Sequence, residues 1–282
     1  MTDPTTVRTL LTAAAASLAT VSASPRLDAE LLLAHSTGWS RAQLFAHSSD
    51  TLPVPATALY AALIARRCTG ESVAYITQQR EFYGHSFYVD ARVLVPRPET
   101  ELLVELTFAA AQILQPAVIL DIGSGSGCIG ITLALAGAAP TIVAVDLSSD
   151  ALAVSAINRD RHTVATKLHL VQADLCMGIA PVSMIVSNPP YVMADDGDAD
   201  VRLHEPHLAL FGGDSDGAAV YRRLAALLPH HLRTPGFFAC EIDPRQVHTV
   251  CALLQNAFPH GRISVHTDLA DHARVICLWL DA

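Results

Sequence analysis

Apolar and polar residues alternate along this chain with two different periods, and the change of period divides it. Up to about residue 75, apolar positions recur every three or four residues between turn residues, the pattern of short amphipathic helices. Ser24-Pro25 reads as an N-cap followed by proline at the first helical position, and Gly38 stands just past LDAELLLAHST as a stop. Leu27 and Leu31 lie four apart on one face of that helix. A further helix opens at Pro55, with Leu59 and Leu63, then Tyr60 and Ile64, repeating at i, i+4 before Gly70 ends it. The pattern predicts a small helical bundle over residues 1–75.

Glu81 to Val95 (EFYGHSFYVDARVLV) is rich in aromatic and β-branched residues around a Gly84-His85 turn, and reads as a β-hairpin. Pro96 and Pro98 flank Arg97 and stiffen the exit, so residues 76–97 are expected to form a linker. From Thr100 the pattern becomes helix, strand, helix, strand: ELLVELTFAAAQIL, AVILDI, CIGITLALAG, TIVAVDL, then LHLVQAD, SMIVSNPPYV, AAVYRRLAALL, FFACEI, RISVHTD and VICLWL. Short apolar strands between amphipathic helices predict an α/β domain over residues 98–282, a doubly wound, mostly parallel sheet with helices on both faces.

Composition sharpens this picture at four points. With 282 residues, 51% apolar and 16% charged, the chain is the reverse of a disordered sequence and long enough for about two domains. Its six cysteines are widely scattered with no C-x-x-C pair, which predicts reduced thiols and a cytoplasmic protein. The N-terminus has no basic segment ahead of its apolar run, unlike a secretory signal. Ile122 to Val145 holds 24 residues without a charge, yet its glycines and Pro140 fit loop, helix, turn and strand, so no membrane span is expected.

Charge and histidine usage narrow the function classes. The net charge of −9 is concentrated after residue 80, where 12 basic residues face 22 acidic ones. Nucleic-acid binding rests on Lys and Arg neutralising phosphates, so direct nucleic-acid binding is not expected. The 13 histidines include His204, His207, His230 and His231, but no H-E-x-x-H and no cysteine at ligand spacing, and no metal site is expected.

Two motifs carry the chemistry. Strand AVILDI runs into Gly123-Ser124-Gly125-Ser126-Gly127, where missing Cβ atoms let a ligand approach the main chain. Asp146 closes the next strand, 19 residues after Gly127, and an acid there can accept both hydroxyls of a ribose. Gly125-x-Gly127-x-x-Gly130 also satisfies the dinucleotide pattern, which keeps a NAD-binding oxidoreductase open. Asp121, at the end of the first strand, could hold the loop and the ammonium end of an amino-acid moiety. Asp174-Leu175 could meet the amine and the face of an adenine; a plain strand-ending Asp explains that pair as well.

The second motif is Asn188-Pro189-Pro190-Tyr191, emerging from the apolar strand SMIV at the end where open α/β sheets bind ligands. Two prolines make a rigid corner with a free carbonyl at Pro189, Asn188 adds an acceptor oxygen, and Tyr191 adds an aromatic face. Such a set suits methylation of a planar NH2 group. Two acceptors hold its N–H bonds and favour pyramidalisation, so the nitrogen lone pair can meet a methyl carbon.

Asn-Pro-Pro-Tyr with LDIGSGSGCI resembles the amino-methyltransferases acting on exocyclic or amide nitrogens, and the G-x-G-x-G spacing resembles the first motif of class I methyltransferases. REFYGHSFYVDARVLVPRPETELLVE (Arg80 to Glu105) and DVRLHEPHLALFGGDSDG (Asp200 to Gly217) narrow this. Together they resemble the release factor glutamine methyltransferases (the HemK/PrmC family) from about Pro25 onward. The resemblance implies a class I methyltransferase fold, Rossmann-like with a seven-stranded, mostly parallel sheet, after an all-α domain that docks the substrate and a hairpin linker. It implies methyl transfer from S-adenosylmethionine, leaving S-adenosylhomocysteine, to the glutamine of the Gly-Gly-Gln motif in peptide chain release factors 1 and 2.

Cofactor residues carry over to Gly123, Ser124, Gly125, Ser126, Gly127, Asp146, Asp174, Leu175 and Asn188. Glutamine-binding residues carry over to Asn188, Pro189, Pro190 and Tyr191, of which Asn188, Pro189 and Tyr191 are the catalytic candidates. Arg97, Glu99 and Thr100 could close over the methionine end, or simply cap a helix. Glu205-Pro206 could shape the acceptor pocket. The alternatives are a ribosomal protein glutamine or an adenine amine as acceptor. Departures from the family pattern are Leu175 where some relatives have an aromatic residue, Gly130 for a commoner Ala, and Asp243 after Glu241-Ile242.

Overall fold

The computed structural model describes residues 6–193 and 203–281. The chain divides into two compact units, Met1–Gln79 and Arg80–Ala282.

The first unit is helical because its turns carry their own caps. Thr6 and Ser40 each form a reciprocal capping box, opening α1 (Val7–Leu18) and α3 (Arg41–Ala46). Between them, α2 (Pro25–Thr37) starts at its proline and stops at left-handed Gly38 (φ 71), while the Ser24 side chain makes no capping bond. The unit is completed by α4 (Val54–Cys68) and α5 (Val73–Thr77). Its core joins Val7, Leu11, Ala29, Leu32, Leu33, Leu44, Tyr60 and Leu63.

The buried stripe of α2 is therefore Ala29, Leu32 and Leu33, not the Leu27–Leu31 face, whose residues are 39% and 37% exposed. Apolar residues stand at four-residue spacing on more than one side of this helix, Leu27 with Leu31 and Ala29 with Leu33, and tertiary packing selects the side where the Tyr60 hydroxyl donates to the Ala29 carbonyl. On α4, Leu59 is exposed while Tyr60 and Leu63 are buried.

The second unit opens with a short hairpin, β1 (Arg80–Phe82) and β2 (His85–Phe87), turned at Tyr83 (φ 52) and Gly84 (φ 74). Both turn residues are left-handed, as a tight two-residue hairpin loop requires. The strand pairing ends at Phe87, well short of the Val95 expected from β-branched content. Beyond the hairpin the backbone is held by a side chain: Asn158 Oδ1 accepts from the Tyr88 amide, and its Nδ2 donates to the Tyr88 carbonyl.

A seven-stranded sheet then forms in the order β5-β4-β3-β6-β7-β9-β8. Its strands are β3 (Val118–Ile122), β4 (Thr141–Asp146), β5 (Leu168–Gln172), β6 (Val182–Ser187), β7 (Leu232–Glu241), β8 (Arg262–Thr267) and β9 (Ala273–Leu280). The first five in spatial order are parallel, and β9 runs antiparallel to both β7 and β8.

Strand residues alternate between two cores, as period-two side chains must. Ile119, Met184, Val186 and Phe237 pack with α6 (Glu101–Leu114) and α7 (Cys128–Leu135). Leu120, Ile185, Phe238 and Cys240 pack on the other face with helices 219–231 and 247–257. The uncharged stretch from Ile122 to Val145 resolves into loop, α7, turn and β4. Among the described residues no helix is long and apolar enough to cross a membrane.

Candidate functional site

Strand β3 pairs with β4 on one side and β6 on the other, so successive crossovers leave it in opposite directions. That reversal opens a crevice at the carboxyl ends of the strands. Ile122 lies beside Ser187 in register, and the loops leaving β3 and β6 therefore emerge as neighbours. A cavity of about 220 Å³ lies there, lined by Gly123, Ser124, Gly125, Ser126, Asp146, Asp174, Leu175, Asn188 and Pro190 among others. Gly127, Pro189 and Tyr191 are not on this lining. Gly127 opens α7, Pro189 is buried, and the half-buried Tyr191 packs on the second core.

The glycine loop is held from three sides. Asp146 Oδ2 accepts from the Gly125 amide (2.8 Å) and its Oδ1 from the Ser148 amide (2.9 Å). Burial raises the Asp146 carboxyl, while its bonds to the Ser148, Gly125 and Leu147 amides pull it down. From α8 (Ser149–Arg161), Ser155 Oγ donates to the Gly125 carbonyl and Asn158 Nδ2 to that of Ser126. Sequence motifs do not single out Ser155 and Asn158, although two polar residues on the helix face that buries Ala151 and Val154 are a signal of such a role.

Asp121 lies beneath this loop rather than on the cavity. It is fully buried, and its Oδ2 accepts from the Gly130 amide at 3.0 Å. The ammonium contact expected of it is therefore not made by its position; it fastens the start of α7 instead. A Cβ on Gly130 would stand 2.9 Å from that same oxygen, which accounts for glycine where alanine has the better helix propensity. Burial pushes the Asp121 carboxyl up to about 7, its Gly130 bond works against this, and Oδ1 has no hydrogen-bond partner among the described residues.

At the far end of the cavity, Asp174 Oδ2 pairs with Arg223 at 2.6 Å, and both residues line the wall. Leu175 lines it in the left-handed region (φ 55), a conformation costing a non-glycine residue about 1 kcal/mol.

The Asn188–Tyr191 corner is fixed by groups far away in sequence. Asn188 Nδ2 donates to Thr100 Oγ1 (3.2 Å), the Tyr191 hydroxyl to Glu241 Oε1 (2.9 Å), and Gln246 Nε2 to the Tyr191 carbonyl (3.0 Å). Burial raises the Tyr191 hydroxyl well above its ordinary range, with the Glu241 charge adding to the effect. Gly217 backs the same carbonyl so closely that a Cβ there would collide with it. Asp243 finds its role here: its Oδ1 accepts from the Arg245 amide, capping the short turn that delivers Gln246.

Arg97 and Thr100 also line the cavity. Arg97 Nη2 pairs with buried Glu205 Oε1 at 2.6 Å, and the Val95 amide donates to Glu205 Oε2, so Glu205 ties Pro206 on the cavity wall to the proline-flanked entry. Of the Asp200–Gly217 segment, Asp200, Val201 and Arg202 lie outside the described residues. Among the described residues no cluster of three or more His, Cys, Asp or Glu has the arrangement of a metal site.

Two family models match the chain: a PrmC N-terminal domain over residues 9–77 and a methyltransferase small domain over residues 98–204. A methyltransferase structure from Pyrococcus furiosus shares the fold, with a TM-score of 0.53 over 77% of this chain and 98% of that one, at 14% identity. Fold and site thus define a Rossmann-like methyltransferase. A release factor glutamine methyltransferase of Koribacter versatilis is 43% identical over 78% of this chain and 79% of its own length. That of Cereibacter sphaeroides is 40% identical over 90% and 91%. The chain belongs to the release factor glutamine methyltransferase family.

Proposed function

We propose that this protein transfers a methyl group from S-adenosylmethionine to the side-chain amide nitrogen of the glutamine in the Gly-Gly-Gln motif of peptide chain release factors. The observation that carries the reading is the cavity shared by the glycine loop and the Asn188–Pro190 corner.

The residues present fit the cofactor. A Cβ on Gly123 would stand 3.7 Å from the Asn188 carbonyl, so glycine keeps open the gap between the two segments. Asp146 accepts from the Gly125, Ser148 and Leu147 amides, and a carboxylate accepts about four bonds, which leaves capacity for a ribose hydroxyl. Asp174 and Leu175 take the adenine end, with Arg223 beside them. When bound, the cofactor supplies an electrophilic methyl carbon.

The protein's own part is positioning. Asn188 Oδ1 and the Pro189 carbonyl accept the two N–H bonds of the glutamine amide and aim its nitrogen into the cavity. Pro190 gives the corner its stiffness, and Tyr191, anchored through its hydroxyl, offers its ring to the amide plane. No strong base is required, because an amide protonated on nitrogen is acidic enough to lose its proton unaided. Residues 1–75 serve to dock the release factor, and residues 98–282 carry the transfer. Release factors 1 and 2 are the proposed partners, and the cytoplasm, where they act, the proposed location.

Mass spectrometry of release factor peptides after incubation with the enzyme and S-adenosylmethionine tests the reading. A gain of one methyl on the Gly-Gly-Gln peptide is expected; an unmodified peptide beside a methylated ribosomal protein or adenine would overturn the acceptor assignment.

A further inference from the structure

Thr100 stands where a helix cap would stand, and does not cap. It precedes α6 with helical backbone angles (φ −67, ψ −17), and its side chain makes no capping bond. Its hydroxyl, on a residue 2% exposed, accepts instead from Asn188 Nδ2. Accepting there leaves the Thr100 proton to turn elsewhere. Beside it is the Glu241 carboxyl at the end of β7, fully buried, with Oε1 taking the Tyr191 proton and Oε2 lacking any hydrogen-bond partner among the described residues. Burial raises the Glu241 carboxyl above its ordinary range, with the Glu99 charge adding to it, while the Thr100 and Tyr191 hydroxyls and the Arg274 charge pull it down.

We propose that Thr100 and Glu241 are positioning residues that fix which end of the Asn188 side chain faces the acceptor, and thereby make the corner selective for an NH2 group. This rests on the reading of Asn188 as the acceptor's hydrogen-bond partner. An asparagine amide is nearly symmetric in shape, but its two ends have opposite hydrogen-bonding sense. With Nδ2 committed to Thr100, Oδ1 is the end that accepts.

Turned over, Asn188 would present a donor. The corner would then favour a carboxylate or carbonyl and leave an incoming NH2 without a partner. A hydroxyl alone cannot prevent that turn, because it donates and accepts equally well. The Glu241 carboxyl next to it can, in its ionised form: it then draws the Thr100 proton and leaves only lone pairs for Asn188. Glu241 also holds Tyr191, so one buried group secures both ends of the four-residue corner.

The test uses the full-length enzyme, a Gly-Gly-Gln peptide as substrate and a Gly-Gly-Glu peptide as competitor. Thr100→Val keeps the shape and removes the hydroxyl; Thr100→Ser keeps the hydroxyl. For Thr100→Val we expect kcat to fall roughly 10- to 100-fold, the loss typical of a misplaced reacting group. Binding of S-adenosylhomocysteine should stay within about threefold, a change of under 1 kcal/mol. The Gly-Gly-Glu peptide should inhibit Thr100→Val and spare the wild type. Thr100→Ser should restore turnover, and Glu241→Gln, which puts a donor beside Thr100, should behave like Thr100→Val.

Wild-type turnover by Thr100→Val, or equal impairment of the Val and Ser variants, would overturn the proposal. A second readout needs no substrate. The side-chain amide protons of Asn188, assigned by their loss in Asn188→Ala, should exchange slowly in the wild type and Thr100→Ser and quickly in Thr100→Val. Equal exchange in all three overturns the proposal, whereas a wild type that leaves the Gly-Gly-Gln peptide unmethylated overturns the functional reading and leaves the exchange result to decide the orientation.

Discussion

The glycine loop and the proline corner leave adjacent parallel strands at the same end of the sheet, and their paths are set in different ways. The loop takes its turns from its own glycines, Gly123, Gly125 and Gly127, all at positive φ, and is tied down by Asp146, Ser155 and Asn158, which lie 21, 30 and 32 residues from their partners. The corner is stiff within itself but aimed from outside, by Thr100, Glu241 and Gln246, which lie 88, 50 and 55 residues from their partners. A loop that must grip a cofactor of fixed shape can take its turns from its own glycines. A corner that must aim a reacting atom needs a frame that does not move with it.

Breaking the corner should cost the most. Asn188→Ala is expected to lower kcat by about 10² to 10³-fold, the range seen when one preorganised hydrogen-bond partner of a reacting group is removed. Cofactor binding should stay within about tenfold, which is 1.4 kcal/mol or less. Parallel calorimetry with S-adenosylhomocysteine and turnover of a Gly-Gly-Gln peptide measure both; an unchanged kcat would remove Asn188 from the reaction.

The same contrast explains what the sequence made legible. Alternating apolar strands and the loop's glycines are local signals, so the doubly wound sheet and the β3–α7 turn could be read directly. Asn188, Pro190 and the loop residues were read from two separate motifs, and their meeting at one cavity follows from strand order. The supports were not legible. Thr100 looked like a cap, Glu241 like the end of a strand, and Asp243 like an unexplained departure, because each acts on a residue that folding alone brings near. The Leu27–Leu31 face shows a related limit: spacing shows that a helix has a stripe, and packing decides which stripe is buried.

Beneath the loop, Asp121 offers a sharper probe at intermediate size. Its carboxyl is raised to about 7 in the fold, against about 3.9 in an unfolded chain. Between those values the unfolded chain has lost the proton that the folded one keeps, so this group's contribution to stability falls as pH rises from about 4 to about 7. Asp121→Asn removes that dependence. The new amide brings an unpaired N–H whose cost does not depend on pH, so Asp121→Asn should be about 2 kcal/mol less stable than wild type at pH 4 and about 2 kcal/mol more stable at pH 8, a swing near the linkage value of about 4 kcal/mol. Urea denaturation at the two pH values measures it. A gain independent of pH would mean that packing, not charge, sets the effect.

The smallest effect is expected where the loop's support and the cofactor's contact coincide. Asp146→Ala removes acceptors from the Gly125 and Ser148 amides and the oxygens proposed for the ribose. Exposed to the cavity, both amides can turn to water, so the loop should loosen rather than collapse. The penalty then falls on binding: about tenfold weaker affinity for S-adenosylhomocysteine, or 1.4 kcal/mol. At saturating cofactor, kcat should remain within about threefold, because the corner that aims the acceptor is secured elsewhere. Asp146→Asn divides the two roles. Its single oxygen can serve one amide, and its NH2 would oppose the other, so a loss larger than that of alanine would assign the effect to the loop. A loss equal to alanine's would assign it to the ribose. An Asp146→Ala enzyme that binds cofactor normally and turns over slowly would reverse the contrast, making the loop and not the corner the element that positions the reaction.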